Sequence, residues 1–300
     1  MGVHGTLAAL LPAATIILVF NSPVRAGEGD SAAWTPPLYA FCVEAGVPGM
    51  KPRSLAEQVA MLHKLGFDGA AYPLWLGDQL DKNLETLDRA GLPLYMVETT
   101  VDLRRPDRPW DPQVPAAIAR LKGRPVTICV PLVGLKPADP QGMDPAVRIL
   151  RELADLTAKS GLRVSIYNHV DHWAERIPFA LEVVKSVDRP NVGVNFNLCH
   201  WLKVEGNRDY RPLIRQNADK IFTVTLCGAE VGAETWTNGL IQPLDRGDFD
   251  NRQLLATLRE AGYRGPIGLM CYGVPGDAQE HLARSMTVWN SWQADWIKQP

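Results

Sequence analysis

Clusters of positive charge are missing from this chain: 31 Lys and Arg stand against 33 Asp and Glu, and no run of cations exceeds a local pair such as Arg104-Arg105. Nucleic-acid binding calls for a basic stripe that neutralises phosphates, so the composition argues against that partner. Long apolar runs are equally scarce. The one present, Leu7 to Phe20, is interrupted by Pro12 and Thr15 and leads into Asn21-Ser22-Pro23-Val24-Arg25-Ala26-Gly27. A short hydrophobic segment before a small-residue cleavage pattern reads as a secretory signal over residues 1–26. The expectation is an exported protein, periplasmic or extracellular, starting near Gly27 and not held in a membrane once the signal is cleaved. An uncleaved anchor and an N-terminal core helix are the competing readings. Cysteine is sparse and odd in number, five in all. Each falls in or just after an expected strand, which suits buried thiols acting as small hydrophobes better than a disulfide framework. A Cys199–Cys227 bridge stays open on sequence grounds. A Gly-rich phosphate loop after the first strand is absent too, which removes the usual dinucleotide signature.

What is present is a rhythm. The stretch from Arg163 to His200 reads as strand, polar turn, amphipathic helix, strand and polar end. Ile177, Phe179, Leu181 and Val184 recur at roughly helical spacing between two β-branched runs, so the unit is a βαβ crossover with parallel strands. Parallel strands end on one face, which brings His169, His172, Asn197 and His200 together. Outside this unit, strands are expected at Leu38–Val43, Ala70–Tyr72, Leu92–Val97, Pro125–Val130, Ile221–Leu226 and Ile267–Cys271. Ser54-Leu55-Ala56-Glu57 is a capping box that opens the first helix. A long loop is expected over Pro131 to Asp144, and the last helix over Ala278 to Trp289. Eight strands alternating with helices predict an α/β fold, a closed (β/α)8 TIM barrel in a single domain; an open doubly wound sheet is the alternative. The expected layout is signal 1–26, linker 27–37, barrel 38–294 and tail 295–300.

In such a barrel the site lies at the C-terminal strand ends. That rule yields Glu44, Tyr72, Trp75, Glu98, Lys136, Tyr167, Asn168, His169, Asp171, His172, Asn197, His200, Glu230, Trp236, Met270 and Tyr272. Aromatics, amides and imidazoles dominate and carboxylates are few. Such a rim suits a polyhydroxylated ligand, with rings stacking on Trp and Tyr and hydroxyls bonded to amides and imidazoles. Asp245-Arg246-Gly247-Asp248 reads as a turn. Trp289, Trp292 and Trp296, at helical spacing, read as core or as an oligomer contact.

Three segments, SLAEQVAMLHKLGFDGA, RPNVGVNFNLCH and GDFDNRQLLATLREAGYRGPIGL, carry a resemblance to the xylose-isomerase-like TIM barrel superfamily, the sugar phosphate isomerase/epimerase and endonuclease-IV-like group. The resemblance implies a divalent metal held by a Glu after the fifth strand, an Asp and a His near the sixth, and a Glu after the last. Those positions fall on Tyr167, Asn197 with His200, and Met270, and a seventh-strand ligand falls near Thr225. His200 matches the group's His, and His169 matches the Asn-His that follows its first Glu. The carboxylates are therefore replaced, and Tyr, Asn and Met are poor ligands for Mg²⁺ or Mn²⁺. Two ways forward follow. His169, His172 and His200 could hold Zn²⁺ as a nitrogen-rich set. Otherwise no cofactor is needed, and Glu98 or His200 acts as base with His169 as acid.

The expectation is an exported isomerase or epimerase for a non-phosphorylated carbohydrate, working by proton transfer next to a carbonyl. Glu98, His169 and His200 form the catalytic set, with Tyr72, Tyr167, Asn168, Asn197, Trp236 and Tyr272 binding the sugar. The alternatives are a carbohydrate-binding barrel without catalysis and a glycoside hydrolase built on two of Glu44, Glu98 and Glu230.

Overall fold

The computed structural model describes residues 1–2 and 34–297. The expected signal segment and the first part of the linker therefore lie outside the described residues, apart from the first two. Residues 34 onward form one compact unit. Among the described residues, no helix is long and apolar enough to cross a membrane.

Eight parallel strands close into a barrel: β1 (Leu38–Phe41), β2 (Gly69–Pro73), β3 (Leu94–Glu98), β4 (Thr127–Val130), β5 (Arg163–Ile166), β6 (Val192–Asn197), β7 (Ile221–Leu226) and β8 (Ile267–Met270). Each pairs with its neighbours in sequence, and β1 pairs with β8 from Leu38↔Ile267 to Phe41↔Met270. Strands β1, β4, β6, β7 and β8 are buried throughout. That is why they read as continuous apolar runs: both faces of a parallel strand are covered. The closed order settles the choice between barrel and open sheet.

The helices are α1 (Leu55–Leu65), α2 (Asp78–Arg89), α3 (Val114–Arg120), α4 (Met143–Ala158), α5 (Ile177–Val187), α6 (Leu198–Glu205), α7 (Arg211–Asn217), α8 (Asn251–Glu260) and α9 (Ala278–Ile297). Ser54 caps α1 with the reciprocal Glu57 contact of a capping box, and Gly66 ends the helix at φ 85°. Only glycine adopts that left-handed turn without strain.

The chain departs from expectation in three places. The polar end after β6 is not a loop. Asn197 ends the strand, and its side chain accepts from the His200 backbone N–H at 3.5 Å, so α6 starts at once. The stretch after β4 contains a two-residue strand, Leu132–Val133, paired in parallel with Val101–Asp102 beyond β3. This small sheet extends one wall above the barrel. Finally, α9 runs to Ile297, not to Trp289, because its tryptophans have a surface to cover. Trp289 and Trp296 are buried, their ring centroids 5.7 Å apart. Trp34 packs on Trp296 at 5.3 Å and donates its indole N–H to the Tyr263 carbonyl at 2.9 Å.

All five thiols are unbridged. Cys199 donates to Asn197 Oδ1 at 3.0 Å and Cys227 to the Leu240 carbonyl at 3.2 Å, so each finds an acceptor without the other. The Asp245–Asp248 stretch is the expected turn. Gly247 sits at φ 82° with Ala229 so close that a side chain would collide, and Asp248 accepts from the Val231 N–H.

Candidate active site

A cavity of about 480 Å³ opens at the C-terminal strand ends. Phe41 and Cys42 follow β1, Glu98 ends β3, and Pro131 follows β4. The turn after β5 supplies Tyr167, His169, Val170, Asp171 and His172; α6 supplies Cys199, His200 and Lys203. Trp236 and Ile241 come from the long β7–α8 loop, and Met270 and Tyr272 from the end of β8. A larger depression, about 1070 Å³, lies on the outer helical face and is lined by residues of α5 and α7. None of the candidate residues reaches it. The inner cavity is the candidate site because titratable groups with shifted pKa values converge there.

Three imidazoles form its centre. The rings of His169 and His172 stack at 4.0 Å with 17° between planes, and His169 and His200 lie 4.0 Å apart. Tyr167 meets His169 and His200 edge-on at 5.7 and 5.6 Å, and Trp236 lies 5.2 Å from His200. One residue's backbone ties two of the rings. His169 Nδ1 lies 2.7 Å from the Val170 carbonyl oxygen, and the Val170 N–H points at His200 Nδ1 at 3.4 Å. His172 Nδ1 is buried with no partner among the described residues.

Burial governs the charge states. It holds His169 below the usual imidazole range, partly offset by the bond to Val170. It pushes His172 down to about 4, helped by His169. Burial, then the two neighbouring rings, hold His200 well below its ordinary value. Glu98 moves the other way: burial raises its carboxyl above the ordinary range. Desolvation penalises whichever form is charged, so acids rise and imidazoles fall together.

Six of the nine expected site residues line this cavity: Glu98, Tyr167, His169, His200, Trp236 and Tyr272. The other three do not. Tyr72 packs on Trp75 at 4.9 Å and donates to Gln58. Asn168 is buried, its Oδ1 accepting from the Asn197 backbone N–H at 3.1 Å. Asn197 caps α6 and donates its side-chain N–H to the Tyr167 hydroxyl at 2.8 Å. Glu44, Trp75, Lys136 and Glu230 also lie off the cavity. Sequence reasoning missed Lys203, Val170, Cys42 and Ile241. Lys203 could have been found: with Asn197 read as a helix cap, it falls three residues after His200 on the same helical face. Its ammonium sits 5.9 Å over the Trp236 ring and donates to the Glu234 carbonyl. Val170 acts through its backbone, which no side-chain pattern reveals.

The strand-end donors do not fit a hard divalent ion. Tyr167 and Asn197 are neutral and hydrogen-bonded to each other, and Met270 offers a thioether, whereas Mg²⁺ and Mn²⁺ require anionic oxygens. The stacked imidazoles turn faces, not converging nitrogens, toward one another. Among the described residues, no group of three or more His, Cys, Asp or Glu is arranged to hold a metal.

Comparison with known proteins agrees with the barrel. Over 128 residues the chain is 30% identical to a 3-dehydroshikimate dehydratase of Pseudomonas aeruginosa, a match that spans 40% of this chain and only 19% of that protein. In structure it resembles a 3-keto-D-glucoside 4-epimerase from E. coli (TM-score 0.70, 15% identity, 86% of this chain and 100% of the other). It also resembles a probable 3-DHS dehydratase from Bacillus anthracis (TM-score 0.64, 16% identity, 85% and 98%). At such identities the structural likeness speaks for the fold alone. The family model of the xylose isomerase-like TIM barrel matches residues 59–291, so the chain belongs to that family.

Proposed function

We propose that this protein is an exported isomerase or epimerase of a non-phosphorylated carbohydrate, moving a proton on a carbon next to a carbonyl without the help of a divalent metal. One observation carries the reading. Glu98, His169 and His200 share one cavity, with the carboxyl raised and the imidazoles lowered by burial. Shifts of that kind bring acid and base toward the same pH, where each can exchange a proton with a carbon acid. The cavity volume suits a small ligand, and Trp236 and Tyr272 offer ring faces for a sugar. The names of the similar proteins point the same way. A 3-keto glucoside epimerised at position 4 reacts beside its ketone, and a 3-dehydro acid that is dehydrated starts from a ketone as well.

The neutral donors at Tyr167, Asn197 and Met270 support the metal-free clause. Lys203 as the sole cation among the lining residues supports a ligand without phosphate. The N-terminal apolar run supports export. Glycoside hydrolysis is served less well: of Glu44, Glu98 and Glu230, Glu98 alone lines the cavity.

The test is solvent exchange. Protein dialysed against a chelator is incubated in D₂O with aldoses, ketoses, 3-keto-glycosides and sugar acids, and carbon-bound deuterium is read by NMR. The reading expects deuterium next to the carbonyl of at least one sugar, at a rate the chelator leaves unchanged. A sugar that binds in calorimetry with no exchange would make the barrel a binding module; exchange that returns only with added metal would overturn the metal-free clause.

A further inference from the structure

We infer that the Val170 backbone, through its N–H and its C=O, locks His169 and His200 into opposite tautomers, which makes His169 the proton acceptor and His200 the hydrogen-bond donor of this site. The inference rests on the proton-transfer reading above and gives it a direction.

A carbonyl oxygen has lone pairs and no proton, so the His169 Nδ1 that meets the Val170 oxygen at 2.7 Å must carry hydrogen. An amide N–H has a proton and no lone pair to offer, so the His200 Nδ1 that receives the Val170 N–H at 3.4 Å must be bare. A neutral imidazole holds one hydrogen. It follows that Nε2 of His169 presents a lone pair and Nε2 of His200 presents an N–H. Both rings stay neutral because desolvation of the buried His200 and the half-buried His169 disfavours either cation, and their contact at 4.0 Å disfavours two. Neither Nε2 has a partner among the described residues, and neither is among the buried unpartnered atoms, so both open onto the cavity.

The electron bookkeeping follows. His169 Nε2 takes the proton from the carbon beside the substrate carbonyl. The C–H electron pair becomes a C=C bond, and the carbonyl π pair moves to oxygen. That oxygen accepts a hydrogen bond from His200 Nε2–H, which keeps its proton, since giving it up would leave an imidazolate. The positive charge rests on His169, whose Nδ1–H bond to the Val170 carbonyl strengthens as the ring becomes cationic. Delivery of a proton to the opposite face of that carbon gives the epimer, or to the neighbouring carbon the isomer, and loss of the proton from His169 restores both rings. This order differs from the one expected from sequence, where Glu98 or His200 was the base and His169 the acid. Val170 is a positioning residue: its side chain is not required, only its backbone N–H and C=O.

The experiment is ¹⁵N NMR of the imidazole nitrogens of the whole protein, dialysed against a chelator, at pH 7.5 without substrate, with His169→Ala and His200→Ala used only for assignment. The expected spectrum shows a protonated Nδ1 on His169 and a protonated Nε2 on His200. The same tautomer on both rings, or an imidazolium on either, overturns the inference. Val170→Pro removes the N–H and keeps the carbonyl: His200 should lose its single tautomer while His169 keeps Nδ1–H, and an unchanged His200 would clear Val170 of the role. If that variant does not fold, the wild-type spectrum still decides. No substrate is present, so an absence of turnover on every sugar would count against the proposed function and leave the tautomers standing.

Discussion

Glu44 and Glu98 occupy comparable places, just past the end of β1 and at the end of β3, yet they have different fates. Glu44 is buried at 5% exposure and fully engaged: its carboxylate takes the Arg53 backbone N–H at 2.6 Å and pairs with the Arg53 guanidinium, which reaches on to Asp277 at 2.6 Å. The Glu98 carboxyl has no hydrogen bond or ion pair among the described residues, and burial raises it above the ordinary range. Position at a strand end is thus a weak criterion. What separates a structural carboxylate from a reactive one is whether a cation has been supplied. A paired group uses its charge to hold two loops together, while an unpaired, desolvated one has its pKa raised and stays free to exchange a proton.

The sharpest way to break this contrast is Glu98→Gln, which keeps shape and removes the proton site. On a substrate found by exchange, kcat should fall about 10²- to 10⁴-fold, the usual worth of a positioned acid or base. The same variant should not be less stable at neutral pH. A raised folded-state pKa means that Glu98 favours folding below its unfolded value and that this contribution is lost as pH rises through the folded value, so Gln removes a cost at pH 8 and nothing at pH 4. Arg53→Met is the complementary test. It strands the Glu44 carboxylate and should cost about 3 kcal/mol in urea unfolding, with part of the loss recovered in Arg53→Met/Glu44→Gln. Equal damage to stability from both glutamates would erase the distinction. The smallest effect is a pH ramp. His169, His172 and His200 have lowered folded pKa values, so the unfolded chain takes up protons first as pH falls below about 6.5. Melting temperature should drop between there and pH 4, and less so in His172→Asn. His281 on α9, also pushed to about 4, keeps a remainder of the slope in that variant.

How much was legible follows from where the information sits. The barrel was readable because fully buried parallel strands leave continuous apolar runs and because caps such as Ser54 and Gly66 mark helix ends locally. His169 and His200 were readable because strand ends of one βαβ unit must share a face. Asn168 and Asn197 were in the right loops but turn inward. An amide at the start of a helix competes well for backbone N–H groups, and Asn197 is used that way. Tyr72 was drawn off by Trp75 and Gln58, partners more than one residue away that its own neighbourhood does not announce. The end of α9 was missed because Trp296 is held by Trp34, on the far side of the chain.

The seam of the barrel has a consequence for assembly. The first and last strands meet between Phe41 and Met270, Cys271 N–H reaches the Phe41 carbonyl at 2.9 Å, and Gly273 N–H reaches Ala45 at 2.8 Å. Tyr272 crosses this junction onto Gly46, where a side chain larger than hydrogen would strike its ring. Phe41, Cys42, Met270 and Tyr272 therefore reach the cavity wall only after the most sequence-distant pairing in the fold has formed, the kind of contact whose loop-closure entropy is paid last. A ribosome-bound chain still lacking β8 has its three histidines already made but an incomplete cavity wall beside them, so binding of the proposed ligand would report ring closure itself.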